Sequence, residues 1–260
     1  MKVKKYFFKK IGEEGAIHLS LIDPEEVYNK PDLLERIVNI INRSGSLGIM
    51  VGGSTIYDRN VIDDVIKKVK SRSSLPVIIF PNDITSISPY ADAIWFMSLL
   101  NSLNPYYITG AQMRAAPVIM KMKIEPLSMA YIIVGEGKTV GYMGYAHPIP
   151  YDEPMIAVSY ALAAEFMGFD FIYLEAGSGA SKHVREELVY VIKKYLRKSK
   201  LIVGGGIRTY NDAFNITKAG ADIVVTGNIL EENPEALLEI VKGVKDGGRQ
   251  KLSGVQEKSG

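Results

Sequence analysis

The feature of this sequence that most constrains its fold is a repeated alternation between short apolar runs of strand length and longer segments with helical periodicity. Most of the runs have apolar or small residues at every position, as in parallel strands that are covered by helices on one side and packed on the other. The eight predicted strands are residues 16–21, 47–51, 77–80, 93–97, 127–134, 171–174, 201–203 and 223–226. Eight such strands in about 250 residues favour an α/β fold of the TIM-barrel (β/α)8 type over a doubly wound sheet.

The segments between the runs predict helices with recognisable ends. Pro31 lies near the first turn of one helix and Gly45 follows its last periodic residue, as expected for helix termini. Further helices are predicted at residues 61–69, 111–122, 154–167, 183–196, 212–219 and 234–244. The interval between Phe80 and Ala93, PNDITSISPYAD, contains two prolines and little periodicity. An irregular segment is therefore expected in place of the third helix.

Composition narrows the possible functions. The 260 residues suit one domain, with a barrel core at about 10–245 and a polar, frayed tail at about 246–260. The 31 basic and 29 acidic residues leave a net charge of only +2, which gives no support for a nucleic-acid-binding protein with a broad basic surface. Because the chain has no cysteine and only three histidines, thiolate chemistry and a His-rich metal cage are not expected. No signal-peptide or membrane-spanning run is seen, so a cytoplasmic location is predicted.

Polar residues follow the first two predicted strands, at the carboxyl-terminal rim where barrels of this class carry their active sites. Asp23 comes directly after the first strand and can hold a hard cation or accept a proton. The alternative is an Asp-Pro turn in which the side chain bonds only its own backbone. The sequence GGST, residues 52–55, follows the second strand. It can bring backbone and hydroxyl groups close to a ligand, or it can simply start the next helix.

Loops rich in small residues follow the last three predicted strands. They are YLEAGSGAS (173–181), GGGIR (204–208) and TGN (226–228), and the last two are spaced as successive βα units require. Backbone N–H groups in such loops, beside helix N-termini, can bind a phosphate dianion without a lysine. The sequence therefore predicts a phosphate site formed by these three loops.

Glu175 is the single carboxylate in this apolar, glycine-rich strand end. Partial burial would raise its pKa and suit it to accept a proton or to hold a hydroxyl; alternatively, it pairs with a lysine or arginine below the rim. His147, in the loop after the fifth strand, could also reach the site. Apolar residues of strands four and five and the segment between them form either core or a groove for a long hydrocarbon: Trp95, Phe96, Met97, Leu99, Leu100, Leu103, Tyr106, Tyr107, Met113, Met120, Met122 and Met129.

The motifs HLSLIDP, VGGST, ADAIWFMSLLNS, YLEAGSGAS, VGGGIR and VTGN occur in an order and spacing that resembles the geranylgeranylglyceryl phosphate synthases. This family includes the bacterial heptaprenylglyceryl phosphate synthases. The resemblance runs from about Lys10 to Val244, and the long YLEAGSGAS form is similar to the larger of the family's two sequence groups. One departure is Ser20, where threonine is common.

The resemblance implies a modified eight-stranded barrel and an Mg²⁺-dependent prenyltransferase. Its members join a polyprenyl diphosphate, here geranylgeranyl diphosphate, to the C3 hydroxyl of sn-glycerol 1-phosphate in the first ether-forming step of archaeal membrane lipid synthesis. It implies Glu175 as the catalytic residue and Asp23 and Ser54 as the magnesium positions. The implied contacts to sn-glycerol 1-phosphate are Tyr173, Leu174, Glu175, Ala176, Gly177, Ser178, Gly179, Gly204, Gly205, Gly227 and Asn228. A homo-oligomer, with the segment from Tyr106 to Met122 at a subunit interface, and transient contact with a membrane are also expected.

Two other functions are compatible with the residues alone. One is a phosphate-binding barrel isomerase or lyase, although the fifth strand runs into VGEG (134–137) without a clear acid–base partner for Asp23. The other is a non-catalytic barrel that binds a phosphorylated lipid or metabolite. Such a protein needs neither Asp23 nor Glu175 at the rim, and it would not release diphosphate.

Overall fold

The computed structural model describes residues 2–55 and 58–256 and shows a closed barrel of parallel strands. Each strand pairs with the next, and β1 pairs with β8, for example through Ser20 and Thr226. The strands are β1 (Ile17–Ile22), β2 (Ile49–Val51), β3 (Val77–Ile79), β4 (Ala93–Leu99), β5 (Glu125–Ile133), β6 (Phe171–Glu175), β7 (Lys200–Gly204) and β8 (Ile223–Thr226). All eight predicted strands and the predicted barrel are confirmed, with bounds shifted by at most two residues.

Helices surround the barrel. They are α1 (Val3–Glu14), α2 (Pro24–Val27), α3 (Pro31–Ser44), α4 (Arg59–Lys70), α5 (Ala111–Met122), α6 (Lys138–Met143), α7 (Pro154–Phe166), α8 (Glu186–Tyr195), α9 (Tyr210–Ala219), α10 (Ile229–Glu232) and α11 (Ala236–Gln256). As predicted, α3 begins at Pro31 and is followed by Gly45 in the left-handed conformation. Among these helices, none is both long and apolar enough to cross a membrane.

The interval between β3 and β4 is irregular, as its prolines indicated. Within it, Ile84–Ser86 forms one 3₁₀ turn, and the Asp83 side chain caps this turn by accepting from the Ile84 N–H. A second irregular piece, the π-helical turn Tyr106–Gly110, leads directly into α5. Both segments contact α5, and Ile84 and Tyr107 border a cavity that residues of β4 and α5 also line.

The apolar residues pack in two layers, because alternate side chains of a strand point to opposite faces. One set fills the barrel interior and includes Leu19, Met50, Ile78, Trp95 and Phe171. The other lies between the strands and the helices; Ile22 and Leu174 belong to it.

Helix α1 closes the amino-terminal end of the barrel. The Phe7 ring is fully buried and stacks on Trp95 with 6.4 Å between ring centroids. The Glu125 carboxylate accepts from the Val3 N–H at 2.6 Å, which satisfies the start of the helix. This helix was not among those predicted, although Val3, Phe7 and Ile11 recur at helical spacing.

The carboxyl-terminal end corrects one prediction. The polar stretch from Asp246 is not frayed: α11 continues to Gln256, and residues 257–260 lie outside the described part of the chain. The Lys251 Nζ donates to the Ala221 carbonyl at 2.7 Å and contacts the buried Asp222 carboxylate at 3.3 Å. These long-range contacts stabilise the end of α11, a polar segment that composition alone predicted to be frayed.

Candidate active site

A cavity of about 680 Å³ opens at the carboxyl-terminal ends of the strands. Its polar end is formed by the loops after β1, β2, β6, β7 and β8, and an apolar arm extends toward β4 and α5. Because the carboxyl ends of parallel strands meet at one end of the barrel, residues distant in sequence converge here. The predicted site residues Asp23, Ser54, Tyr173 and Glu175 all line this one cavity.

Glu175, the last residue of β6, is 6% exposed and lies between the polar and apolar parts of the cavity. One carboxylate oxygen, Oε1, accepts from the Gly177 N–H at 2.7 Å, and Oε2 accepts from the Tyr131 hydroxyl at 3.2 Å. Burial raises the pKa of Glu175, whereas the hydrogen bonds from Gly177 and Tyr131 lower it. Within the described chain its carboxylate forms no salt bridge, so the alternative of a structural partner for a lysine or arginine is wrong. A buried carboxylate held by neutral donors, at a cavity wall, is suited to accept a proton.

Tyr131 is a site residue that the sequence analysis missed. It lies inside the barrel on β5 opposite Tyr173, with 5.1 Å between the ring centroids, and Phe80 packs against both rings. Burial raises the pKa of both tyrosines well above the ordinary value, so both hydroxyls are protonated donors at neutral pH. The sequence showed Tyr131 only as one apolar position among many; its role depends on the register between β5 and β6.

The glycine loops after β6, β7 and β8 come together as predicted. The Ser178 hydroxyl donates to the Asn228 side chain at 3.1 Å, linking the first loop to the third. Gly205 has a φ of +86°, and a Cβ there would lie 2.4 Å from Glu175 Oε1, so only glycine fits. Gly179, Gly205, Gly227 and Asn228 line the cavity beside Ser178.

Four of the predicted contact residues do not line the cavity. The side chains of Leu174 and Ala176 lie in the layer between barrel and helices. Gly177 supplies the N–H that holds Glu175. Gly204 pairs with Glu175 at the end of β7 and lies against the Tyr173 hydroxyl. Alternation along β6 explains Leu174 and Ala176, since Tyr173 and Glu175 face inward and the residues between and after them face outward.

Asp23 forms the turn that was one of its two interpretations, and it also faces the cavity. Its Oδ1 accepts from the Glu25 N–H at 3.0 Å and caps α2, and the same residue lines the cavity. Burial, together with Glu25 and Glu26, raises the pKa of Asp23 to about 6. Gly53 leaves the space that this carboxylate occupies, because a Cβ there would lie 2.3 Å from Asp23 Oδ2. Ser54 lines the cavity next to it.

Glu231, on α10, is a further carboxylate at this end of the cavity that was not predicted. Burial raises its pKa to about 7, and the negative charges of Asp23 and Glu26 contribute to the shift. Even so, no three carboxylate or histidine groups within residues 2–55 and 58–256 are close enough to form a ready-made metal cage.

The apolar arm is formed by part of the predicted apolar set. Trp95, Phe96, Met97, Leu99 and Tyr107 line it, together with Ile94, Ala115 and Ile119 from β4 and α5. Met129 is core instead, and Leu103, Met113 and Met120 are exposed at the surface. The absence of a regular helix between β3 and β4 leaves room for this arm, whose wall includes Ile84 and Ile87.

The histidines lie outside the cavity wall. His147 is exposed, and only its backbone is engaged, by Asn101. It therefore does not reach the site in this structure. His18 is buried, with its ring between the Ser46 and Thr226 hydroxyls at 3.0 and 2.9 Å.

Comparison with known proteins shows similarity along nearly the whole chain. The sequence pattern described as the PcrB family matches residues 9–245. The geranylgeranylglyceryl phosphate synthase of Thermofilum pendens is 45% identical over 253 residues, which cover 96% of this chain and 98% of that protein. The corresponding protein of Pyrococcus horikoshii is 48% identical over 231 residues, or 89% of each chain.

A solved structure agrees with the fold and with the sequence similarity. It is that of (S)-3-O-geranylgeranylglyceryl phosphate synthase from Thermoplasma acidophilum in complex with its substrate sn-glycerol-1-phosphate. The TM-score is 0.89 at 45% identity, and the match covers 95% of this chain and 99% of that chain.

Proposed function

The chain belongs to the PcrB family, and on this basis we propose that it is a geranylgeranylglyceryl phosphate synthase. In the proposed reaction, the C3 hydroxyl of sn-glycerol 1-phosphate attacks C1 of geranylgeranyl diphosphate, an ether bond forms, and diphosphate leaves. This is the first ether-forming step of archaeal membrane phospholipid synthesis. The single observation that carries the proposal is the buried Glu175 carboxylate, placed in one cavity between three glycine loops and an apolar arm.

The glycine loops after β6, β7 and β8 hold the acceptor by its phosphate. Their backbone N–H groups, with Ser178 and Asn228, form a small polar surface that suits a phosphate dianion. Binding the phosphate here places the free hydroxyl of a three-carbon acceptor toward Glu175. Such positioning converts a bimolecular reaction into one between pre-aligned groups.

Glu175 accepts the proton of the attacking hydroxyl as the new C–O bond forms. The bond between C1 and the diphosphate oxygen breaks in the same step or just before it, and the electron pair leaves with diphosphate. The Gly177 N–H and the Tyr131 hydroxyl hold the carboxylate in place and favour its ionised form. Burial raises the pKa of Glu175, which makes it a stronger base than an exposed carboxylate.

The prenyl chain of the donor lies in the apolar arm. Side chains such as Phe96, Met97 and Ile119 exclude water from it, so the hydrocarbon gains burial while its diphosphate end stays at the polar end of the cavity. Excluding water also protects a developing allylic cation at C1 from hydrolysis.

We propose Mg²⁺ as the cofactor, held by Asp23 and Ser54. The residues fit this ion: a carboxylate and a hydroxyl line the cavity together, and Gly53 leaves space for the carboxylate. Mg²⁺ usually binds through one or two carboxylates plus substrate phosphates and water, so a complete protein cage is not needed. When bound, the ion neutralises charge on the leaving diphosphate.

We also propose that the chain assembles as a homo-oligomer and contacts a membrane transiently to collect its long-chain donor. Met113 and Met120, on the segment expected at an interface, are 70% and 77% exposed. Sedimentation of the purified protein, with and without lipid vesicles, tests both statements. A monomer that does not pellet with vesicles would contradict them.

The reaction is tested with labelled sn-glycerol 1-phosphate, Mg²⁺ and farnesyl, geranylgeranyl or heptaprenyl diphosphate. An ether product with release of diphosphate is expected, with the highest rate for the geranylgeranyl donor. Binding of the glycerol phosphate without transfer from any donor would indicate the non-catalytic binding barrel instead.

A further inference from the structure

We infer that Arg208 binds the phosphate of the acceptor and determines the preference of the cavity for a phosphorylated acceptor. This inference rests on the proposed function. Arg208 ends the motif GGGIR. It lies in the loop between β7 and α9, directly before Thr209, the N-cap residue of α9. It lines the same cavity as Ser178, Gly205 and Asn228.

The charges around the cavity give Arg208 its importance. Five carboxylate residues line the cavity: Asp23, Glu26, Asp83, Glu175 and Glu231. Across residues 2–55 and 58–256, Arg208 is the single lysine, arginine or histidine that lines it. A glycerol phosphate dianion would enter a strongly negative cavity, so one arginine beside the glycine loops contributes a large share of the favourable charge.

The local structure does not use the Arg208 side chain. Its backbone N–H donates to Asp212 Oδ2 at 3.0 Å, next to the capping box that Thr209 and Asp212 form at the start of α9. The side chain is exposed, and within the described chain its guanidinium forms no hydrogen bond or ion pair. The backbone is therefore anchored, while the charged group is available to a ligand.

Helix stability does not explain an arginine at this position. The amino-terminal end of a helix carries partial positive charge, so a cation just before α9 is unfavourable for the helix. The Asp212 carboxylate in the first turn offsets part of this effect. A bound anion would offset the rest, because arginine matches the oxygens of a phosphate through paired N–H donors.

The test measures binding of sn-glycerol 1-phosphate by calorimetry, and steady-state transfer, for the wild type and Arg208→Gln. Loss of a charge-assisted contact predicts a roughly 10- to 100-fold higher Kd and KM for sn-glycerol 1-phosphate, with little change in kcat. The KM for the prenyl diphosphate should stay within about twofold of the wild-type value, if only the acceptor contact is lost. Arg208→Lys should be intermediate, since lysine keeps the charge but not the paired donors.

Arg185→Gln is the matched control. It removes the same charge from a residue that likewise comes just before a helix, α8, but the Arg185 guanidinium lies over the Tyr151 ring, 4.9 Å from its centroid, and does not line the cavity. An equal loss of affinity in both variants would overturn the assignment in favour of a general field effect. A higher KM for the prenyl diphosphate alone would overturn it in favour of the donor.

The same experiment separates failure of this inference from failure of the proposed function. A wild type that neither binds sn-glycerol 1-phosphate nor transfers a prenyl group overturns both. A wild type that does both, beside an Arg208→Gln protein with unchanged Kd, overturns only the role of Arg208.

Discussion

The Tyr131 hydroxyl donates a hydrogen bond to Glu175 Oε2 across 3.2 Å, between two buried residues on neighbouring strands. The tyrosine favours the ionised form of a carboxylate whose pKa burial raises. The proposed role of Glu175 as a general base requires the ionised carboxylate. The pairing of β5 with β6, which brings Tyr131 to Glu175, therefore supports that role.

Replacing Tyr131 by phenylalanine should move the acid limb of the pH profile to higher pH. Glu175 accepts a proton only when ionised, so kcat/KM falls as the pH drops below its pKa. The Tyr131 hydroxyl lowers that pKa, and its removal therefore raises it. The measurement is kcat/KM against pH. Tyr210→Phe, which removes a hydroxyl bonded to Asp246 at 3.0 Å outside the site, should leave the limb in place.

Replacing Glu175 by glutamine should lower turnover by roughly 10² or more, the usual contribution of a positioned general base. The amide is close in size to the carboxylate and can still accept from the Gly177 N–H, so the fold should persist. Single-turnover transfer and thermal unfolding should be measured together. Turnover near that of the wild type, in a folded protein, would rule out Glu175 as the base.

Gly53→Ala and Asp23→Asn should both raise the Mg²⁺ concentration that is needed for half-maximal activity. An added Cβ would lie 2.3 Å from Asp23 Oδ2 and must displace the carboxylate. Loss of supporting geometry commonly costs about 10- to 100-fold in metal affinity, so the Mg²⁺ concentration for half-maximal activity should rise by a comparable factor. Gly12→Ala is the control, because its Cβ meets no atom within 4 Å. Unchanged Mg²⁺ titrations for both site variants would place the metal elsewhere.

His18 should make the folded protein sensitive to acid. Burial lowers its pKa from the ordinary 6.5 to about 3, so only the unfolded chain takes up this proton between those values. Its contribution to stability is complete above pH 6.5 and is lost progressively as the pH falls toward 3. The loss is on the order of 5 kcal/mol, since the pKa falls from 6.5 to about 3 and one pKa unit corresponds to about 1.4 kcal/mol.

The test is urea unfolding of the wild type and His18→Gln between pH 7 and pH 4. Glutamine can still bond to Ser46 and Thr226 but does not titrate in this range. The difference in unfolding free energy between the two proteins should shrink or reverse as the pH falls. A difference that stays constant with pH would show that His18 does not titrate as described.

Much of the barrel and its polar rim was predictable because it depends on local patterns. Strand-length apolar runs define β1 to β8, and the residue after each run is necessarily near the same rim. This is why Asp23, Ser54, Glu175 and the glycine loops could be placed together from the sequence. The two prolines between Phe80 and Ala93 likewise predicted that no regular helix forms there, because they act on the local backbone alone.

Other features depend on partners far away along the chain. Tyr131 and Glu175 are 44 residues apart, and only the pairing of β5 with β6 brings them into contact. Lys251 holds the end of α11 by contacts with Ala221 and Asp222, so a polar segment is helical where composition predicted fraying. Which apolar residues line the arm was decided in the same way. Met97 and Met129 are partners on β4 and β5 and both face the barrel interior, but Met129 is fully buried whereas Met97 borders the cavity.

The sequence by itself determined the order of the strands, the small-residue loops and the types of side chain available at the rim. The tertiary structure alone decided which of these groups touch, how far each is buried, and which charges face one cavity. The physical reason is that periodicity and turn chemistry are properties of neighbouring residues, whereas pKa shifts, hydrogen-bond partners and cavity shape depend on the whole packed barrel.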